Sequence, residues 1–395
     1  MQPPLSPPPP GSIVEPCAPV TGSVIAVEVQ PGQPVAAGRV LLLVESMKME
    51  LPVEAPAAVE VLAVHVAVGE VVTEGQPLLR LRVLADAAAA PAPPAAVAPG
   101  PRRDLQRLQA RRALLADAAR PEAMARRHAS GLRSARQNVA DLLDAGSFTE
   151  YGAFAVAAQT RRRSLDDLQR QTPADGLVCG TGTVGGRPVA VLAYDYTVLA
   201  GTQGMNNHAK SDRVLELAAR QRLPVVWWTE GGGGRPGDVD WPGVAGLHLT
   251  TFGRFAALSG VVPRIGIVAG RCFAGNAAIL GCCDLVVAVQ GASIGMGGPA
   301  MIEGGGLGKV EADAVGPVPV LAANGVIDCV VAGEAEAVAV AKSALALLTV
   351  PGIEAGAPGG DPQGLRDAVP ENRNALYDPR RILQTVADAG TLLEL

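Results

Sequence analysis

Between residues 18 and 83 the chain alternates apolar and polar positions in short runs closed by glycine. "SVIAVEV" and "RVLLLV" form one pair of runs, "VEVLAVHV" and "PLLRL" a second. Runs of this length and period predict strands, and the glycines between them predict turns. The two pairs are copies of each other. Residues 18–44 and 55–81 align at a constant offset of 37: Ala18-Pro19 on Ala55-Pro56, Gly32 on Gly69, Gly38 on Gly75, and Leu41, Leu42 and Val44 on Leu78, Leu79 and Leu81. A duplicated half-motif predicts a small flattened β-barrel with pseudo-twofold symmetry. "ESMKME", residues 45–50, joins the halves and puts Lys48 at a protruding, solvent-facing hairpin tip. Because positions 47 and 49 share a strand face, an ordinary surface lysine between two core methionines is the alternative.

Periodicity then disappears. Residues 85–101, "ADAAAAPAPPAAVAPGP", form an Ala/Pro-rich, semi-extended tether. Beyond it, "RDLQRLQARRALLADAAR" spaces Leu105, Leu108, Leu114 and Leu115 for one helical face. From residue 176 apolar strands alternate with helical stretches. "RPVAVLAYDYTVL" and "LPVVWWTE" read as strands, "HAKSDRVLELAARQ" as a helix, and "RIGIVAGRCFAGNAAILGCCDLVVAV" as strand, glycine turn, helix and strand. That alternation predicts a layered α/β fold.

Composition narrows the function classes. The sequence is 48% hydrophobic but 3% aromatic, so its cores are packed with Val, Leu and Ala. A net charge of −5 argues against a general nucleic-acid binder. None of the six cysteines forms a C-x-x-C pair, which disfavours a zinc ribbon and favours buried free thiols in a reducing compartment. "MQPPLSPPPP" lacks the basic and apolar regions of a signal peptide, and no long apolar run suggests a membrane span. A cytoplasmic protein without metal, membrane or nucleic-acid partners is the expectation.

Two glycine turns carry candidate chemistry. Gly231–Gly234 follow a strand and precede Arg235, and Ala274-Gly275-Asn276 opens a helix. Poly-glycine commonly marks a flexible surface loop. The alternative is an oxyanion hole: bare backbone approaches a ligand closely, and a helix start leaves N–H groups without intrahelical partners.

Ser46-Met47-Lys48-Met49, inside the repeat, closely resembles the Ala/Ser-Met-Lys-Met attachment motif of biotinyl (biotin carboxyl carrier) domains, over roughly residues 13–83. Lipoyl domains share the barrel but usually carry Asp-Lys-Ala. Family members often have glycine where Val59 stands. The resemblance implies biotin joined to Lys48 as an amide by a biotin protein ligase, with Met47 and Met49 flanking the cofactor. "SARQNVADLLDAGSFTEYGAFA", residues 134–155, resembles the opening segment of acyl-CoA carboxylase carboxyltransferase β subunits, such as those of propionyl-CoA carboxylase. The order strand–GGGG–R and strand–AGNA–helix resembles the crotonase-like half of that fold. There the turns usually read "SGGAR" and "AGGA", so Gly231 replaces Ser, Gly234 replaces Ala and Asn276 replaces Gly.

The resemblance implies a multidomain chain: a small all-β flattened barrel followed by an α/β crotonase-like (ββα-spiral) domain. Its expected divisions are a disordered Pro-rich tail (1–12), a biotinyl domain (13–83), a linker (84–101), a carboxyltransferase N-terminal domain (102–370) and the lead-in to a missing C-terminal half (371–395). It implies transfer of CO₂ from carboxybiotin to the α-carbon of an acyl-CoA, a ligase-type step of fatty acid metabolism with the biotin ureido nitrogen as base. Gly232 and Gly233 would supply amides to the thioester carbonyl, Gly275 and Asn276 would line the same pocket, and Lys210 and Arg213 would meet coenzyme A phosphates or form a solvated helix face. His208 is expected to be structural or on the surface. Residues 292–308 resemble only a subset of the family and read as a pocket-lining loop. Expected partners are a biotin carboxylase and a carboxyltransferase C-terminal half or further copies of the chain. A decarboxylase running the chemistry backwards and a non-catalytic carrier or assembly subunit are the alternatives.

Overall fold

In the computed structural model, which describes residues 8–84, 102–240, 249–349 and 359–395, the duplicated strands build two four-stranded antiparallel sheets around one aliphatic core. One sheet runs Ile13–Val14, Leu79–Val83, Val59–Val64, Pro34–Val35. The other runs Met49–Glu54, Val40–Ser46, Gly22–Val27, Val71–Val72. The repeat maps each sheet onto the other, so the internal symmetry expected from the offset is present in the strand order. It extends to detail. The ladder irregularity between Val24 and Ala26 recurs between Val61 and Ala63. The Gly32 N–H donates to Val61 O, and the Gly69 N–H to Val24 O. Both glycines hold positive φ, 85° and 90°. Val24, Leu41, Leu42, Val44, Val59, Val61, Leu78, Leu79 and Leu81 are fully buried, each contributing about 1.5–3 kcal/mol of transfer free energy. Gly11 and Ser12 are tied to the barrel: the Gly11 N–H donates to Val83 O and the Val83 N–H to Ser12 O. Those ladder bonds correct the expected disordered tail at its last two residues; residues 1–7 and the linker 85–101 lie outside the described residues.

The chain divides at Arg102 into this unit and a second, Arg103–Leu395. The second unit is built on a seven-stranded sheet in the order Cys329–Val331, Leu285–Val289, Arg264–Val268, Val225–Trp228, Arg187–Tyr194, Leu177–Val184, Thr149–Glu150. The first five are parallel neighbours, and the last two pair antiparallel. "VVWW", "RIGIV" and "LVVAV" are buried along their whole length, as strands covered on both faces must be. Val226 and Trp228 pack toward Ala135–Leu142 and Glu334–Leu348, whereas Val225 and Trp227 pack toward Met205–Gln221. A small parallel pair, Arg271–Phe273 with Ser293–Gly295, stands beside the sheet.

The segment around "ARQNVADLLDAGS" acts structurally. Ser134 and Gln137 close a capping box on Ala135–Leu142, and Arg136 makes a two-pronged pair with Glu150 at 2.9 and 3.0 Å. Asp144 accepts from Thr183 Oγ1 at 2.6 Å and from the N–H groups of Gly186 and Gly185 at 2.7 and 3.0 Å, which holds that hairpin turn. The Thr183 hydroxyl and the two amides keep its carboxyl below the usual carboxylate range. Because the folded state holds the proton less tightly, this stabilisation is present above the unfolded pKa, near 4, and is lost as pH falls through the folded value. Asp144→Ala is therefore expected to lower the melting temperature at neutral pH. Thermal unfolding across a pH series should show the gap to wild type closing below about pH 4.

Several expectations need correction. The first helix is Arg103–Ala113, so Leu114 and Leu115 fall outside it, and Leu105 and Leu108 are exposed. Residues 292–308 contain a strand, Ser293–Gly295, and a helix, Pro299–Gly304, because Pro299 starts a helical turn that the glycine content concealed. The division at 370 falls within a hydrogen-bonded piece: the Gly359 N–H donates to Ala387 O, and Leu393 packs on the main core. Cys17 is exposed, Cys282 and Cys283 are half-buried, and all six cysteines are free.

Candidate functional site

Lys48 stands in a two-residue hairpin loop. Ser46 and Met49 are the last paired residues, and Met47 and Lys48 both have positive φ, 50° and 67°. Both positive angles are what a type I′ hairpin turn demands, usually of Asn-Gly. Here side chains with a Cβ take them, at about 1–2 kcal/mol per residue. Met47 is 94% exposed and Met49 62%, so neither belongs to the core, which the ordinary-surface alternative required of both. Among the described residues no carboxylate pairs with the Lys48 ammonium. An unpaired primary amine on a strained, protruding tip fits a covalently attached biotin, whose amide bond would consume that amine.

In the second unit the strand Val225–Trp228 runs into Thr229, Glu230 and the glycine turn. Gly231 is bridged to Cys272: its N–H donates to Arg271 O, and its carbonyl accepts from the Phe273 N–H. Gly233 has φ 85°, and a Cβ there would lie 2.7 Å from the Cβ of Ala274. Gly275 leaves no room either, since a Cβ would overlap Gln203 Oε1. Gly231 and Gly233 are thus packed into the turn, while Gly232 and Gly234 are exposed. Ala274 itself is held at φ 51°, a conformation that L residues keep only when their surroundings impose it.

The expected donors do not survive intact. The Gly232 N–H donates to Ala200 O at 3.1 Å and the Gly233 N–H to Asn276 Oδ1 at 2.9 Å, so both amides are turned inward. The cause is local: the turn packs against the Leu199–Gly201 loop, and an asparagine side chain reaches across it. The Asn276 side chain is fully buried and belongs to this packing. Among the described residues, the N–H groups of Gly234 and Gly275 make no hydrogen bond. A Cβ at Gly233 would stand 3.6 Å from Gly275 N, so glycine at 233 keeps the space before that amide clear.

Lys210 does not reach an anion. Its ammonium is buried and donates to Ala174 O at 2.7 Å and to Leu177 O, and burial pushes its pKa down. Arg213 is exposed and pairs with Glu216 at 3.3 Å. The two therefore do not converge, which corrects the expectation of a shared phosphate site. Lys210 lies on the inner face of its helix with Asn207, Ser211, Val214 and Ala218. His208 is buried, with Nδ1 2.9 Å from Thr251 Oγ1, a structural role.

Sequence reasoning missed Asp175. Ala174, Asp175 and Gly176 are all left-handed, at φ 54°, 50° and 68°. Lys210 holds the carbonyls on either side of this turn. The Asp175 carboxylate accepts from Asn207 N–H at 2.8 Å and is ion-paired with Arg235, directly after the glycine turn. Arg235 also donates to Thr202 O at 2.8 Å. Burial raises the Asp175 carboxyl above the usual range, against the pull of Arg235. Removing one partner of a buried pair strands the other charge, so Arg235→Ala is expected to cost about 3–5 kcal/mol, read as a lower denaturant midpoint at unchanged slope.

A cleft of about 810 Å³ opens at the carboxyl ends of the parallel strands and is lined by Glu230, Gly270, Arg271, Gly291 and Gly333. On its wall Arg127 grips Glu230 with two bonds of 2.6 and 2.7 Å. It adjoins the glycine turn through Glu230 without including it.

The parallel sheet, the small second sheet and the strand–glycine turn–helix order define the crotonase-like class. Comparison with known proteins makes this specific. The carboxyl transferase domain model matches residues 126–395, and the biotin-requiring enzyme model matches residues 12–81. The chain belongs to the carboxyl transferase domain family and carries a biotin-requiring-enzyme domain ahead of it. It is 31% identical over 279 residues to the methylmalonyl-CoA carboxyltransferase 12S subunit of Propionibacterium freudenreichii subsp. shermanii, covering 68% of this chain and 52% of that protein. It is 32% identical over 289 residues to the biotin-dependent long chain acyl-coenzyme A carboxylase beta4 subunit of Mycobacterium tuberculosis, covering 69% and 52%. A solved single-chain, multi-domain long-chain acyl-CoA carboxylase matches at 46% identity and TM-score 0.70, over 96% of this chain and 36% of that one. A transcarboxylase 12S structure, described as a hexamer assembly with hydrolysed methylmalonyl-CoA bound, matches at 27% identity and TM-score 0.58, over 71% and 56%. The chain spans about half the length of the curated relatives it matches. Among the described residues no helix is long and apolar enough to cross a membrane.

Proposed function

We propose that this chain is the biotin-carrying carboxyltransferase component of an acyl-CoA carboxylase, acting on long-chain acyl-CoA. The observation that carries the reading is Lys48, an exposed, unpaired amine on a strained hairpin tip in a biotin-requiring-enzyme domain joined to a carboxyl transferase fold. Long acyl chains are favoured because the long-chain carboxylase structure is 46% identical to this chain, against 27% for the 12S structure.

Biotin held as an amide on Lys48 would supply a ureido ring able to carry a carboxyl group and, once that group had left, to accept a proton. The chain's own residues do the rest. Lys48 contributes the amine of the linking amide and a long side chain for reach. As the α-proton of the acyl-CoA leaves, negative charge grows on the thioester oxygen. Gly234 and Gly275 offer unpartnered N–H groups to it, in place of Gly232 and Gly233. Preorganised donors of this kind are worth about 2.7–4 kcal/mol each. Asp175 and Arg235 hold the turn rigid without touching substrate. The chain is read as working in the cytoplasm with a biotin protein ligase, a biotin carboxylase and a carboxyltransferase C-terminal half or further copies of itself.

The test is label transfer from bicarbonate into acid-stable acyl-CoA by the biotinylated chain with those partners. Higher kcat/KM for long-chain than for propionyl substrate is expected. A preference for propionyl-CoA would overturn the chain-length assignment. Activity only in release of CO₂ from a carboxylated acyl-CoA would assign a decarboxylase, the activity named in a relative from Veillonella parvula at 30% identity.

A further inference from the structure

The buried carboxamide of Asn276 links two loops. Its Oδ1 accepts the Gly233 N–H at 2.9 Å, and its Nδ2 donates to Gly201 O at 3.3 Å. These partners fix the amide orientation, because a flip would set donor against donor and oxygen against oxygen. The space for this side chain comes from Gly231. A Cβ there would overlap Asn276 Nδ2 and Gly201 O and lie 2.8 Å from Asn276 Cγ. Gly231 is absent from the positive-φ positions, so crowding alone, and not backbone conformation, requires glycine. The resembling pattern, with Ser at 231 and Gly at 276, places its side chain on the opposite turn.

We propose that Asn276 is a positioning residue coupled to Gly231. Its side chain pins the glycine turn by occupying the Gly233 N–H, and it thereby leaves Gly234 and Gly275 as the amides that face an acyl carbonyl. The space at Gly231 and the side chain at Asn276 are coupled: either is costly to change alone, and exchanging both relieves the contacts with Asn276 while the Gly201 carbonyl still crowds a Cβ at 231. The catalytic part of this inference rests on the carboxyl-transfer reading; the coupling does not.

A double-mutant cycle in the full biotinylated chain, assembled with its partners, tests it. Gly231→Ser and Asn276→Gly are each expected to lower kcat about tenfold to a hundredfold, the scale of a small misplacement of a catalytic group. Binding of a thioether acyl-CoA analogue, which lacks the carbonyl, should change less than about threefold, separating positioning from loss of fold. The double variant should lose less kcat and less melting temperature than the sum of the two single losses, without returning to wild type, because the Gly201 carbonyl still meets the new Cβ. Asn276→Asp keeps the acceptor for Gly233 but sets a carboxylate oxygen against Gly201 O, so it should be less active than Asn276→Gly. This comparison stands even if Gly231→Ser fails to fold. Additive losses in melting temperature, an Asn276→Gly enzyme with wild-type kcat, or an Asp variant more active than the Gly variant would each overturn the proposal. Coupled melting temperatures in a wild-type chain that neither binds the analogue nor transfers a carboxyl group would uphold the coupling and overturn the carboxyl-transfer reading instead.

Discussion

Lys48→Ala is expected to abolish biotin attachment, and with it all carboxyl transfer, while leaving the fold in place. The amine sits outside every packed cluster, at the tip of a loop whose strands are held by the ladder between Val40–Ser46 and Met49–Glu54. Its removal takes nothing from the aliphatic core. Alanine keeps the strained positive φ, so the melting temperature should move by no more than about 0.5 kcal/mol equivalent. Lys48→Arg sharpens the test: the charge and length remain, but a guanidinium is not the primary amine that amide formation needs. Streptavidin blotting and intact mass read the outcome. Labelling that survives either change would show that Lys48 is not the attachment point. Lys48→Gly should be modestly more stable than wild type, because glycine takes φ 67° without a steric penalty.

Gly233→Ala is expected to give the second largest effect. The new methyl would enter a backbone at φ 85° and meet the Ala274 Cβ at 2.7 Å, and Ala274 cannot yield easily, being itself held at φ 51°. The left-handed strain costs about 1–2 kcal/mol before the clash is counted. Whichever turn moves, the space before the Gly275 amide closes or its direction changes. We expect kcat to fall about a hundredfold to a thousandfold, the range for loss of one oxyanion donor, with a folded but less stable chain. Gly253→Ala is the control: it lies in a helix, nothing stands within 4 Å of its new methyl, and it should be neutral or slightly stabilising.

The duplicated barrel was legible because its signal is local and doubled. A period of two and paired glycines at a fixed offset dictate strands, turns and the way each sheet maps onto the other. The tip lysine followed from the same register. The core strands of the second unit were legible as continuous apolar runs. The donor assignment was not, because where a glycine N–H points depends on Ala200 and Asn276, which arrive from a loop and a helix distant in sequence. The left-handed Ala174, Leu199 and Ala200 left no trace in the sequence, since alanine and leucine do not announce such angles, whereas Asp175-Gly176 was a readable turn signal. Lys210 carried a readable warning: with Asn207, Ser211, Val214 and Ala218 it completes one helical stripe, and that stripe faces inward.

We propose that a group held on Lys48 delivers its carboxyl to an acyl thioester bound at the glycine turns. Pulse–chase transfer tests it most directly. The chain is charged with labelled bicarbonate by a biotin carboxylase, stripped of nucleotide and bicarbonate, and then mixed with acyl-CoA and the C-terminal half. Label is expected to leave the protein and appear in acid-stable acyl-CoA, in wild type and not in Lys48→Arg. Label that remains on the protein, or escapes only as CO₂ whichever acyl-CoA is added, would contradict it.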